Sequence, residues 1–189
     1  ARGVGTTIVD GALSRLSLAS PAVTEAMILA TGAAVAGNIP ELVRKTKYVY
    51  ELIGIEEIED ALRTRLDPLT QGVWAVSGGG EPIDLELPSV LMLERTGIVT
   101  DKLFQLLRTQ QREVELIVRD FTRVFASPEA FYAFLRRGHR IRVVHRSRLL
   151  AVTVNPTAPS GLVLDSRRLC EAMQEALQIP VYDVKKMPE

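Results

Sequence analysis

The sequence predicts an α/β fold: a three-layer, doubly wound, Rossmann-like sheet, mostly parallel, with helices on both faces. Three observations point there. Short apolar runs without alternation recur along the chain, as in strands covered on both sides. The first two runs stop at a polar residue plus glycine, where open α/β sheets place ligand groups. Between the runs lie amphipathic stretches with recognisable helix starts and stops.

Val4-Gly5-Thr6-Thr7-Ile8-Val9 is β-branched, stops at Asp10-Gly11, and reads as the first buried strand. A polar loop from Ala12 to Ser20 follows, and Ala26-Met27-Ile28-Leu29-Ala30 is the second strand, ending at Thr31-Gly32. Ser20-Pro21 pairs an N-cap serine with a first-turn proline, so at most one turn forms over Pro21–Glu25. The alternative is one helix from Pro21 to Gly37, weakened by Ile28, Thr31, Val35 and two glycines.

Asn38-Ile39-Pro40-Glu41 is a stronger helix start. Leu42, Val43, Thr46, Val49, Tyr50 and Ile53 then recur at helical spacing, and Gly54 is the expected cap. Ile55 to Leu66 reads as a second amphipathic helix with Ile58, Leu62 and Leu66 as its stripe, stopped by Asp67-Pro68. Val73–Val76 is a third strand, running into the flexible Ser77-Gly78-Gly79-Gly80. Pro82 to Pro88 is extended, and Val90–Leu93 reads as a fourth strand.

Thr100 caps a helix from Asp101 to Thr109, and Glu113–Val118 is a fifth strand ending at Arg119-Asp120. Thr122–Ala126 reads as extended. Ser127-Pro128 then repeats the serine–proline start and opens a helix from Glu129 to Arg137, closed by Gly138. Arg140–Val144 is a strand with two arginines on one face, which places it at the periphery. Leu149–Val154 is the last long strand, followed by the stiff loop Asn155–Gly161. Asp165 caps the helix Ser166–Leu177, and Pro180–Val184 closes the chain as a short strand.

No internal repeat and no long linker interrupts this order, so residues 1–189 are expected to form a single α/β domain. Hydrophobic residues make up 47% and charged residues 24%, which excludes disordered and collagen-like classes. Lys plus Arg equal Asp plus Glu at 23 each, so no global field attracts nucleic acid or a membrane. The lone Cys170 forms no internal disulfide, sits beside Leu169 and Met173 in a helical pattern, and favours a reducing compartment. No apolar run reaches the ~18 residues of a membrane helix, and no signal peptide precedes the first strand. The expectation is a cytoplasmic protein.

In a right-handed βαβ sheet the strand C-termini share one rim. That rim would gather Asp10, Thr31, Ser77, Asp120, Asn155 and Thr157, with Gly11, Ser14, Arg15, Gly32 and Gly78 beside them and Asp183 after the last strand. An acid after a buried strand either holds Mg²⁺ or a ribose, or simply caps its loop, and Asp10 fits both descriptions. The glycine triplet either cradles a phosphate or is a mobile loop; it lacks the spacing and lysine of a P-loop, and no G-x-G-x-x-G opens a helix. His139 and His145 lie in an arginine-rich stretch without ligand spacing, and no G-x-S-x-G elbow occurs. No metal site and no catalytic residue is therefore assigned. No cofactor of its own is expected, and a nucleotide is the one that the rim would admit. Arg136, Arg137, Arg140, Arg142, Arg146 and Arg148 form a basic cluster suited to an acidic protein partner or a phosphate, with Arg140, Arg142 and Arg146 as the binding candidates. Neutral charge and few aromatics disfavour nucleic acid.

Several segments carry a resemblance. They are Val9-Asp10-Gly11-Ala12-Leu13-Ser14-Arg15, Ala19-Ser20-Pro21, Ile28-Leu29-Ala30-Thr31-Gly32-Ala33, Gly97-Ile98-Val99-Thr100-Asp101 and Ala151 through Pro159. They resemble the smaller subunit of the reactivase for adenosylcobalamin-dependent lysine aminomutase, which acts beside an ATPase subunit related to mismatch-repair MutS proteins. The resemblance implies a helper role, the exchange of damaged cobalamin driven by the partner's ATP hydrolysis. The chain departs from a ligand-handling protein in having no nucleotide or cobalamin motif of its own. The expected partners are thus that ATPase and the aminomutase, with self-association into a homo-oligomer as a further expectation.

Ala1-Arg2-Gly3 reads as a helix end with a glycine cap before the first strand, and no initiator methionine precedes it. Either the methionine was removed or the chain is a fragment. Loss of an upstream strand and helix would leave an unpaired edge or an exposed apolar face.

Overall fold

The computed structural model describes residues 5–10, 18–66, 74–76, 82–83, 98–109 and 113–186. The protein is a mixed α/β chain with small, mainly parallel sheets and, among the described residues, five α-helices. None of these helices is long and apolar enough to cross a membrane. The chain divides into two compact units, Ala1–Glu25 with Ile55–Ser147, and Ala26–Gly54 with Arg148–Glu189.

The second unit is built on a parallel sheet ordered β1-β8-β9, with β1 at Met27–Gly32, β8 at Leu149–Asn155 and β9 at Val181–Asp183. Two helices complete it, α1 at Ile39–Ile53 and α5 at Ser166–Leu177, and they pack on one another. Their starts are those the sequence predicts. The Asn38 side chain accepts from the Glu41 N–H at 2.9 Å, with Pro40 in the first turn. Asp165 accepts from the Arg168 N–H at 2.8 Å. Each cap satisfies a donor that the helix itself leaves unpaired. The expected glycine cap of α1 is present, yet Gly54 sits at φ −80°, so its conformational freedom is not used. The single helix from Pro21 to Gly37 does not form; β-branched Ile28 and Thr31 belong to β1, and Ser20–Val23 is a tight turn.

Cross-strand partners project on the same side of a sheet. Leu29, Val152 and Val181 share one side with Thr31, Val154 and Asp183. This side meets the helices: the Thr31 and Thr46 hydroxyls lie 3.1 Å apart, and Ser166 Oγ donates to Asp183 Oδ2. Leu42, Leu169, Met173 and Leu177 bury completely there. The opposite side carries Ile28, Ala30, Ala151, Thr153 and Tyr182; Ala151 is buried, but the outer strands are open there, with Ile28 57% and Tyr182 48% exposed.

The first unit holds a sheet ordered β3-β2-β5-β7: Pro82–Ile83, Trp74–Val76, Glu115–Val118 and Arg140–Val143. β5 pairs parallel with β7 and antiparallel with β2. Leu116, Ile117 and Val118 are all buried, as the unbroken apolar run requires. A parallel pair, β4 at Val99–Thr100 and β6 at Val124–Phe125, stands apart. The helices are α2 at Asp60–Leu66, α3 at Asp101–Arg108 and α4 at Pro128–Leu135. Asp101 opens α3 and accepts from the N–H and hydroxyl of Ser127, the N-cap of α4, so the two helix starts are tied together. Phe104 then packs on Phe131 and Phe134, with ring centroids 6.1 and 4.9 Å apart.

Three expectations fail for physical reasons. Gly5–Asp10 forms no strand; these residues are exposed, Ile8 at 92%, and β-branching alone cannot supply a pairing partner. Helix α2 starts only at Asp60, because Ile55–Glu59 runs extended beside β7, where the Ile58 N–H donates to the Val143 carbonyl and the Val143 N–H to that of Glu56. Phe121–Arg123 is a short 3-10 turn, since Asp120 caps it, so only Val124 and Phe125 of the expected Thr122–Ala126 extension form a strand. The remaining expected helices and strands agree within a few residues, while β4 is a strand that the sequence does not predict and the Thr100 side chain makes no cap bond to α3. Asp67-Pro68, Ser77–Gly80, Val90–Leu93 and most of Pro82–Pro88 lie outside the described residues.

His139 closes the first unit's core. It is buried, its ring lies 4.8 Å from Phe134, and its Nδ1 accepts the Val114 N–H at 3.2 Å. Burial holds the imidazole below its ordinary value near 6.5, with Arg137 adding to that shift and Glu113 opposing it. The unfolded chain therefore takes up this proton more readily than the folded one. The contribution is whole above the unfolded value and fades as pH falls through 6.5 toward the folded value. Urea titrations between about pH 7.5 and 5.5 should show a falling midpoint in the native protein and a flatter profile in His139→Gln.

Candidate functional site

Parallel strands end together, so the carboxyl rim of the second unit collects Thr31 and Gly32 from β1, Asn155 from β8 and Asp183 from β9. Gly32 is required by close approach. A Cβ on it would lie 2.3 Å from the Asn155 carbonyl oxygen, and the Ala33 N–H donates to that same oxygen at 2.9 Å. The Asn155 side chain turns back onto its own loop and accepts from the Thr157 N–H at 3.0 Å. Thr157 pairs across the loop with Val163, and Gly161, at φ +87°, makes the turn between them.

Each polar group of this rim thus has a local partner: Thr31 has Thr46, Asn155 has Thr157, and Asp183 has Ser166 and the Lys185 N–H at 2.8 Å. Of the expected site, Thr31, Gly32 and Asn155 lie at the ends of the adjacent strands β1 and β8, with Thr31 turned to α1 and Asn155 paired with Gly32 and bonded to Thr157. Asp10 and Asp120 belong to the other unit. Gly11, Ser14, Arg15, Ser77 and Gly78 lie outside the described residues.

Asp120 follows β5 and is 3% exposed. One carboxylate oxygen accepts from the Thr122 N–H at 2.9 Å and from the Thr122 hydroxyl; the other accepts from Ser20 Oγ at 2.8 Å. A buried carboxylate held by three donors is a structural clasp, joining Ser20 to a turn a hundred residues on. Asp10 is exposed and part of no regular element.

The basic cluster divides into two kinds of arginine. Arg142 Nε lies 2.7 Å from Glu115 Oε1, bridging β7 and β5. Arg136, Arg137, Arg140, Arg146 and Arg148 are exposed. Cys170 is half-buried, and burial pushes its thiol above the ordinary value, opposite to what a nucleophile needs. No group of three or more His, Cys, Asp or Glu able to hold a metal ion occurs among the described residues.

The partners of these groups were not legible in the sequence. Thr46 is a helix-face position, Thr122 a loop residue and Ser166 a first-turn serine, and no spacing rule links them to Thr31, Asp120 or Asp183. Ser20 was legible only as a cap. No protein-family model matches the chain, and neither a curated protein nor a solved structure does.

Two substitutions check this geometry. Gly32→Ala drives a methyl into the β8 backbone and should destabilise by roughly 1–3 kcal/mol, read as a lower urea midpoint. Asp120→Ala leaves three donors unanswered, two of them in buried Thr122, and should cost about 1–3 kcal/mol in the same titration.

Proposed function

We propose that this chain is a non-catalytic accessory subunit of the cytoplasm that works with a MutS-related ATPase partner on a cobalamin-dependent aminomutase. The resemblance of its segments to the smaller reactivase subunit suggests the system. The observation that carries an interaction role is the open face of the β1-β8-β9 sheet. Parallel sheets are almost always covered on both faces. Here Ile28 and Tyr182 stand about half exposed on a side that no helix of the same unit covers. An element docked there would complete the helix–sheet–helix layering of a doubly wound fold. Exposed Arg140 and Arg146 offer a second contact for an acidic surface, while Arg142 is already engaged by Glu115. In this reading the chain needs no cofactor of its own, because the partner hydrolyses the ATP.

A second reading, a nucleotide- or phosphometabolite-binding enzyme, is favoured by one observation. Thr31, Gly32 and Asn155 end adjacent parallel strands and Thr157 follows in the loop, the place where such folds bind phosphates.

The deciding experiment mixes the purified chain with the ATPase subunit and an aminomutase blocked by damaged cobalamin, then adds ATP and fresh adenosylcobalamin. Aminomutase activity should return only when all components are present. Ile28→Asp, which charges the open face, should weaken recovery at least tenfold while leaving the melting temperature within a few degrees. Equal recovery without the chain would sink the proposal. Calorimetric binding of ATP to the isolated chain would favour the enzyme instead.

A further inference from the structure

Among the described residues, strand β9 is the outer edge of its sheet and pairs only with β8. The Val152 N–H donates to the Pro180 carbonyl, and the Val184 N–H to that of Val154. Backbone groups alternate sides along a strand. Residues 180, 182 and 184 therefore turn their polar groups toward β8. The N–H and carbonyl of Val181 and the N–H of Asp183 face away from it. Short edge strands and prolines usually blunt such an edge. Pro180 does not blunt this one, because the donor it lacks would have pointed inward, to β8.

Beside the free edge runs the C-terminal half of α5. Between them lies a groove of about 720 Å³ whose lining includes Glu171, Gln174, Glu175, Ile179, Val181 and Tyr182. Ile179, Pro180 and Val181 give it an apolar part, its helix wall carries two carboxylates and two glutamines, and among the described residues no lysine or arginine lines it. Glu171 is shared with Arg167 at 2.8 Å on the exposed helix face. An open strand edge beside a helix is the geometry in which extended peptides add to a sheet, the ladder supplying affinity and the groove specificity.

We propose that the groove between β9 and α5 binds an extended protein segment carrying lysine or arginine, which joins the sheet as a further strand beside β9. Its backbone pairs with Val181 and Asp183, its basic side chains meet Glu171 and Glu175, and an apolar residue between them sits on Ile179 and Val181. This site uses the strand edge and the helix wall rather than the open sheet face and the arginines of the accessory-subunit proposal, and it borders that face at Tyr182.

The test uses the whole chain, labelled with ¹⁵N, and two capped octapeptides, one alternating lysine and valine, the other glutamate and valine. The lysine peptide should shift the Val181 and Asp183 amide resonances in a saturable, salt-sensitive way, and the glutamate peptide should not. Val181→Pro removes an outward donor, and Glu175→Lys reverses the charge of the helix wall. Each should weaken lysine-peptide binding at least tenfold with the far-UV spectrum unchanged. If Val181→Pro does not fold, Glu175→Lys decides alone. Equal binding of both peptides, absence of shifts at these two amides, or undiminished binding by Glu175→Lys would overturn the proposal. So would a concentration-dependent dimer that Glu175→Lys abolishes, since the occupant would then be a second copy.

Discussion

The parallel pairing of β1 with β8 is the contact on which the second unit depends. Residues 27–32 and 149–155 are far apart in the chain, and their ladder brings α1 and α5 over one sheet. Loop closure grows only slowly with length, so joining such distant segments costs little more than joining nearer ones. What the pairing demands is close approach. Gly32 meets that demand: any side chain there would enter the Asn155 backbone. The Thr31–Thr46 and Ser166–Asp183 contacts then fix the helices against the outer strands, and Leu169, Met173 and Leu177 fill the space between.

Helices were legible where the chain states its own boundaries. Asn38, Ser127 and Asp165 each cap a helix through a bond to a residue three positions on, a local rule that needs no tertiary information. Buried strands were legible as apolar runs for the same reason, β5 and β8 above all. The reading went astray where partners decide. Gly5–Asp10 and Ala26–Ala30 look alike in composition, yet only the second finds a strand to pair with. Ile55 and Ile58 suit a helical stripe, but the backbone of Val143 recruits them into an extended segment. The rim was legible in part, since parallel strands put the Thr31-Gly32 end of β1 beside the Asn155 end of β8 by topology. The hydroxyls that satisfy its polar groups come from elements remote in sequence, which no spacing could announce.

The polar groups of this chain are spent largely on architecture. Asp101, Asp120 and Asp183 each accept from two or more donors, and each ties elements that are distant in sequence. Apolar and edge surfaces stay open instead, on the free side of the β1-β8-β9 sheet and along β9.

The interleaving of the two units bears on how the protein is made. The segment that becomes β1 and α1 leaves the ribosome well before its sheet partner β8. At typical elongation rates the delay is on the order of 10 s. During that interval the apolar side of α1, with Leu42, Leu52 and Ile53, has nothing to pack on, while residues 55–147 emerge and can condense into the first unit. The nascent protein therefore carries an exposed hydrophobic helix through much of its synthesis, a window in which general chaperones act. Nor does any single cut release either unit whole from its own stretch of chain, because each is assembled from two separated pieces.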